Sequence, residues 1–134
     1  MSLFEIKPGT PSVEEFLDLR SSVEMGTRSL EGVKRGLGNE LFGALLYLKD
    51  GGELVGMGRV VGDGGTVFHI CDMVVKPEWQ KKGGGTMVMD ALMDFIEGLS
   101  ISDAYVNLIA DVDGFYEKWG FKPTDPRSKG MYLK

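Results

Sequence analysis

The run Val74-Val75-Lys76-Pro77-Glu78-Trp79-Gln80-Lys81-Lys82-Gly83-Gly84-Gly85 constrains this chain more than any other stretch. An apolar strand runs into Pro77, passes a short polar turn and three glycines, and enters an amphipathic helix. The first backbone amides of a helix have no intrahelical partner, and the helix dipole adds positive potential around them. Glycines let an anion approach those amides closely. The run therefore reads as a strand-to-helix crossover able to cradle a pyrophosphate. The plainer reading is an ordinary strand-to-helix turn.

The helix that follows is the clearest in the chain. Between Gly85 and Leu99, Val88, Ala91, Leu92, Phe95, Ile96 and Leu99 recur at helical spacing and form one apolar stripe. Upstream, Leu3 to Lys7 reads as a strand ended by Pro8-Gly9. Pro11 to Arg20 reads as a helix with Ser12 and Glu15 as a capping box. Ser29 to Leu37 reads as a second helix. Leu41 to Lys49 and Glu53 to Val61 flank Asp50-Gly51, a strong hairpin signal. Thr66 to Lys76 is a third long strand. Regular alternation puts Val67, His69, Cys71, Met73 and Val75 on one face and Phe68, Ile70, Asp72 and Val74 on the other. Ala104 to Ala110 reads as a buried strand, Gly114 to Trp119 as a short helix, and Phe121-Lys122 and Met131-Tyr132-Leu133 as final strands. The expected fold is a mixed α/β sandwich: a predominantly antiparallel sheet of about six to seven strands, flanked by about four helices.

Size supports one domain over residues 1–134. A net charge of −5 without a basic stripe argues against nucleic acid as a partner and is compatible with a cationic small substrate. The single cysteine, Cys71, excludes an intrachain disulfide and a cysteine-rich zinc site, and no metal is expected. It also fits a reducing, cytoplasmic setting. Met1-Ser2-Leu3-Phe4-Glu5 lacks the features of a signal peptide. No stretch reaches the ~18 apolar residues of a membrane span, so no membrane partner is expected.

Two separated motifs coincide with this layout. Gln80-Lys81-Lys82-Gly83-Gly84-Gly85 matches a Q/R-x-x-G-x-G/A pattern after a strand. Phe115-Tyr116-Glu117-Lys118-Trp119-Gly120-Phe121 matches F-Y-x-x-x-G-F near the C-terminus. Together they resemble the GNAT superfamily of acetyl-CoA-dependent N-acetyltransferases, and the strand order fits that fold along nearly the whole chain. The resemblance implies that backbone amides from about Gln80 to Gly85, with Thr86 beside them, hold the pyrophosphate of CoA. It implies that backbone groups of Met73, Val74 and Val75 pair with the pantetheine arm where the central strand splays from the strand at Ala104 to Ala110. Lys81 and Lys82 add charge near the phosphates or are simply solvated. One position departs from the pattern: the residue between the motif glycines is commonly aliphatic and here is Gly84. Glycine costs roughly 1 kcal/mol in a helix relative to alanine, so a looser first turn is expected.

The resemblance makes Tyr116 the general acid that protonates the departing thiolate; its other reading is a core tyrosine beside Phe115, Trp119 and Phe121. Asp72 is the leading candidate base, because a carboxylate on an apolar strand face needs a reason. A structural role, such as bonding backbone groups or pairing with Arg59, is the equal alternative. His69 is a further candidate base, and Asp113 reads as an N-cap rather than a catalyst. Cys71 as an acyl-carrying nucleophile is the minor route, since a lone core cysteine is usually inert. Glu24, Met25 and Arg28, between the first two helices, are candidate substrate contacts. The expected function is transfer of acetyl from acetyl-CoA to a primary amine of a small molecule, by direct attack in a ternary complex. The alternatives are a protein lysine or N-terminal acetyltransferase and a non-catalytic acyl-CoA sensor. Pairing of two copies through the C-terminal strand edge is a further expectation.

Overall fold

The computed structural model describes residues 2–133. The elements run β1 (Phe4–Pro8), α1 (Val13–Ser21), α2 (Leu30–Gly36), β2 (Phe42–Leu48), β3 (Leu54–Gly62), β4 (Val67–Val75), a 3-10 turn (Pro77–Trp79), α3 (Gly84–Gly98), β5 (Tyr105–Leu108) and a second 3-10 turn (Tyr116–Trp119). The strands form one sheet in the order β1-β2-β3-β4-β5. The first three pairings are antiparallel, and β4 with β5 is parallel. A parallel pair needs a long crossover, and α3 supplies it.

Local chemistry explains most boundaries. Ser12 caps α1 with both halves of the capping box formed: Glu15 N–H donates to Ser12 Oγ at 3.0 Å, and Ser12 N–H donates to Glu15 Oε1 at 2.9 Å. Ser29 caps α2 by accepting from Gly32 N–H at 3.0 Å. The β2–β3 hairpin closes with Leu48 N–H donating to Glu53 O at 2.9 Å. Asp63 gathers the β3–β4 turn, accepting from the amides of Gly65, Thr66 and Val67.

The sheet buries both faces. On one, Val88, Met89, Leu92 and Ile96 of α3 pack against Phe4, Leu46, Val60, Phe68 and Ile70. On the other, Phe16 and Leu19 of α1 and Val33 of α2 pack against Leu45, Met57 and Val74. Val88, Leu92 and Ile96 of the expected stripe are buried and Ala91 and Phe95 partly so, but Leu99 at the helix end is 40% exposed and Met89 takes a core place the spacing did not give it. Among the described residues no helix is long and apolar enough to cross a membrane.

Three expectations need correction. The alternation along β4 breaks at Asp72, which has φ 56°, and the register to β3 shifts between Met57 and Arg59. This bulge reverses the phase of the strand. Val74 therefore joins the α1 face, Met73 and Val75 pack on the α3 side, and Asp72 shares a cleft with Cys71. Second, the strand expected over Ala104 to Ala110 is only Tyr105–Leu108. Third, Phe121-Lys122 and Met131-Tyr132-Leu133 form no strand. Gly120 turns with φ 92°, and Pro123 and Pro126 lack the N–H a ladder needs. The described sheet accordingly has five strands rather than six to seven, and three α-helices with two 3-10 turns replace the expected four helices. Met131, Tyr132 and Leu133 are almost fully exposed.

Candidate active site

The site begins where β4 and β5 part. Their pairing runs from Val67–Tyr105 to Ile70–Leu108 and stops, while β4 continues to Val75. From Cys71 onward β4 has no strand on that side. Lys76 N–H donates to Val55 O on β3 at 2.8 Å. Backbone groups alternate sides along a strand, so Val74 also turns toward β3, while Met73 and Val75 turn toward the open edge. Of the three residues expected to meet the pantetheine arm, two present their backbone to the gap.

The glycine run lies at the far end of that edge. Gln80 N–H donates to Pro77 O at 3.3 Å, and its Nε2 donates to Val75 O at 2.9 Å. Gln80 therefore braces the turn with both groups. Among the described residues the amides of Lys81 through Thr86 donate to no protein group, as the first turn of a helix requires. Lys81 with φ 63° and Gly83 with φ 90° sit in the left-handed region, which curls successive amides into an anion-binding concavity. The side chains of Lys81 and Lys82 are exposed.

Gly84 answers the departure from the pattern. A Cβ built there would lie 2.6 Å from Leu46 Cδ2 and 3.4 Å from the Phe4 ring. Leu46 and Phe4 fill the space an aliphatic side chain would take, so the turn is packed rather than loose. At Gly85 a Cβ would lie 3.3 Å from Phe115 Cζ. The first motif thus touches the second, and these residues fit a bound pyrophosphate by their open amides and left-handed turns.

Tyr116 stands on the second 3-10 turn. Its ring meets Phe115 edge-on at 5.0 Å and Phe121 at 6.5 Å. Trp119 Nε1 donates to Asp90 Oδ1 at 2.9 Å and ties the turn to α3. Burial, and then the Asp111 carboxylate, push the Tyr116 phenol above its usual value, which keeps the proton on the oxygen. Tyr116 also lines a cleft of about 930 Å³ between β5 and the irregular segment that follows it. No cradle residue lines that cleft; it is the space beside the β5 edge where the two final strands were expected.

On the other face of the sheet the bulge holds a buried charge network. Asp72 Oδ1 accepts from Arg20 Nη1 at 2.5 Å, and Oδ2 accepts from Arg59 Nε at 2.9 Å. Arg59 Nη1 donates to Glu40 Oε1 at 2.9 Å, and Thr10 Oγ1 donates to Glu40 Oε2 at 2.6 Å. Arg20 is 3% exposed and donates from Nη2 to Met25 O at 2.7 Å, which ties the α1–α2 loop to β4. Both carboxylate oxygens of Asp72 are thus engaged by guanidinium groups. The partnership with Arg59 posed as the alternative to a base is present, with Arg20 as a second partner.

His69 lies on β4 before the bulge. Its Nδ1 is 2.7 Å from Asn107 Oδ1, and Asn107 Nδ2 donates to Phe68 O at 3.5 Å. The amide oxygen can only accept, so the Nδ1 position carries the proton and the neutral ring has its lone pair on Nε2. Burial, and then the Asp72 carboxylate, push the Cys71 thiol up to about 11. It stays a thiol near neutral pH, unsuited to attack.

A cleft of about 330 Å³ opens above the bulge, lined by Phe16 of α1, Val33 of α2 and Leu37 just after it, with Arg59, Cys71 and Asp72 below and Arg28 at the side. Of the three loop residues singled out in the sequence, Arg28 lines this cleft. Glu24 is exposed with φ 58° and does not line it, and Met25 contributes its carbonyl to Arg20. Arg20, Glu40 and Asn107 were not anticipated as site residues. The one available signal was Arg20 falling four residues after Phe16, on the inward face of α1. Among the described residues no group of three His, Cys, Asp or Glu side chains is placed to hold a metal ion.

A strand parting from its parallel neighbour, with an open-amide glycine turn at its end, is the arrangement that the resemblance to the GNAT superfamily implies. The family model described as an acetyltransferase (GNAT) domain matches residues 34–123. The chain is 33% identical over 120 residues to an uncharacterized N-acetyltransferase of Pyropia yezoensis, covering 88% of this chain and 69% of that protein. Among solved structures it is similar to a probable acetyltransferase from meticillin-resistant Staphylococcus aureus, with TM-score 0.91, 42% identity and 98% of each chain covered. It is also similar to a GNAT family acetyltransferase from Streptococcus pneumoniae, with TM-score 0.78, 28% identity, and 98% of this chain and 97% of that one covered. The chain belongs to the GNAT acetyltransferases, whose cosubstrate is acetyl-CoA.

Proposed function

We propose that this acetyltransferase moves the acetyl group of acetyl-CoA onto the primary amine of a small molecule by direct attack in a ternary complex. The observation that carries the substrate size is the 330 Å³ cleft at the bulge, walled by α1 and α2. A cleft of this volume with apolar lining from Phe16, Val33 and Leu37 suits a small ligand.

In this reading the amides of Lys81 to Thr86 bind the pyrophosphate, and Met73 and Val75 align the arm along the open edge of β4. His69 Nε2 takes the proton of the incoming ammonium, oriented by Asn107 through Nδ1. The amine nitrogen then forms a bond to the acetyl carbon and the carbon–sulfur bond breaks. Tyr116 gives its phenolic proton to the departing thiolate, and the surplus proton on the newly acylated nitrogen restores the phenol, leaving a neutral amide and a free thiol. Asp72 serves as a positioning residue that holds the bulge between Arg20 and Arg59. The raised thiol of Cys71 favours direct transfer over a covalent acetyl-cysteine.

The test is thermal melting with acetyl-CoA, CoA and dephospho-CoA, followed by a screen of primary amines for thiol release. A ligand that binds only the native state raises the melting temperature according to its concentration relative to Kd. Stabilisation by CoA species together with turnover of a free amine supports the proposal. Turnover confined to lysine-containing peptides would replace it with the protein-modifying reading. Stabilisation without turnover of any amine would leave a sensor.

A further inference from the structure

We infer that the acceptor carries an oxyanion, a carboxylate or a phosphate, at the end remote from its amine, and that Arg28 binds it. The inference rests on the proposed transfer to a small amine and narrows its substrate class. Its basis is the charge balance around the cleft. Arg20 and Arg59 are matched by Asp72 and Glu40, so the buried network is neutral. Asp72 is the one acid that lines the cleft, and both its oxygens are engaged. Arg28 remains. Among the described residues it has no acidic partner within 4.0 Å, and its Nη1 donates only to the neighbouring Thr27 O at 3.0 Å.

The cleft is therefore net positive on a chain whose net charge is −5. A polyamine would meet a cation there and no free carboxylate, although the acidity of the whole chain would draw it in. A guanidinium offers a planar fork of donors that matches the two oxygens of a carboxylate or phosphate. Phe16, Val33 and Leu37 supply apolar walls for a short hydrocarbon link between that end and the reacting amine. The acceptor that fits is a short amino acid or an aminoalkyl phosphate.

The experiment compares 3-aminopropanoate, 4-aminobutanoate and 2-aminoethyl phosphate with butylamine and 1,4-diaminobutane. Acetyl transfer is measured for each, and each is titrated calorimetrically into the protein–CoA complex. Arg28→Gln and Arg28→Lys are carried alongside, with melting temperatures to verify folding. Anionic amines are expected to exceed the neutral and dicationic ones at least tenfold in kcat/KM, with the carboxylate and phosphate arms separating the two sources. Arg28→Gln should raise KM for anionic amines on the order of tenfold to a hundredfold, the loss of one charge-assisted contact, with a smaller change in kcat. Arg28→Lys should recover part of it. Equal or better turnover of butylamine or the diamine overturns the inference and leaves transfer standing. Calorimetric binding of anionic amines that Arg28→Gln abolishes, without turnover of any amine, upholds the inference and overturns transfer. Absence of binding by every anionic amine overturns the inference.

Discussion

The two ends of the site are built from different materials. At the proposed cofactor end, the candidate binding groups are main-chain amides in one continuous segment, Lys81 to Thr86, shaped by left-handed turns at Lys81 and Gly83. At the acceptor end, the groups are side chains brought from α1, its following loop, the approach to β2, β3 and β4, locked by ion pairs. Changing a side chain on the first end leaves the amides in place unless it fills space. On the second, each side chain holds another, so a single change propagates.

The largest expected effect follows from that contrast. Asp72→Ala leaves Arg20 buried with no carboxylate, which costs about 3–5 kcal/mol. At roughly 3–5 °C per kcal/mol for a chain of this size, melting should fall by ~10–20 °C. Asp72→Asn keeps the shape and removes the charge, so it also tests the assignment of the base. A variant that melts within about 2 °C of the parent while kcat falls about a hundredfold would return Asp72 to the role of base and remove it from the structural network.

Tyr116→Phe probes the boundary between the two ends. The ring stays packed against Phe115 and Phe121, so stability and acetyl-CoA stabilisation should hold. Loss of a general acid should lower kcat by ~10²–10⁴. Because the phenol is active while protonated and its pKa is raised, activity carried by it is lost only as pH rises above the usual phenol value. That high-pH limb should vanish in the Phe variant. An unchanged kcat would make Tyr116 a core tyrosine and leave the thiolate to water.

What could be read from the sequence follows the same division. The strand-to-helix turn was legible because Gln80 to Gly85 carries its geometry in contiguous residues: a proline stop, glycines and a helical stripe. The order of strands and helices through α3 was legible for the same reason. The phase of β4 was not. A strict period of two puts Asp72 beside Val74, but one extra residue opposite β3 reverses the strand, and the sole local mark is Asp72 itself, a residue type rare in strands and tolerant of positive φ. Arg20, Glu40 and Asn107 were missed because each acquires its role from a partner far along the chain. The last strands failed because apolar character at Met131-Tyr132-Leu133 fixes no partner, and Pro123 and Pro126 interrupt the approach.

Gly84 tests the packing of the glycine turn. Gly84→Ala should gain helix propensity, roughly 1 kcal/mol. It should lose more, about 1–3 kcal/mol, because Leu46 must move. In Gly84→Ala with Leu46→Ala, the new methyl has the space that Leu46 occupied, and the two costs should sum to less than the single variants predict. Denaturant unfolding of the four proteins measures this coupling. Strict additivity would mean that Leu46 does not limit this position, and the close packing of the turn would carry no weight.

The smallest effect is on pH dependence, and it separates the ends by what can titrate. Amides do not ionise between pH 3 and pH 9, whereas the acceptor end contains Glu40. Burial pushes the Glu40 carboxyl up, but hydrogen bonds from Thr10, Arg59 and the Gly38 amide outweigh it, and its pKa lies below the ordinary 4.5. A carboxyl with a depressed folded pKa adds stability that is fully present above its unfolded value and is lost as pH falls through the folded one. Unfolding free energy should therefore decline as pH drops below about 4.5, and Glu40→Gln should flatten part of that decline while lowering stability at pH 7. Parallel slopes for the two proteins would assign the acid sensitivity to other carboxylates and detach Glu40 from the network that shapes the acceptor cleft.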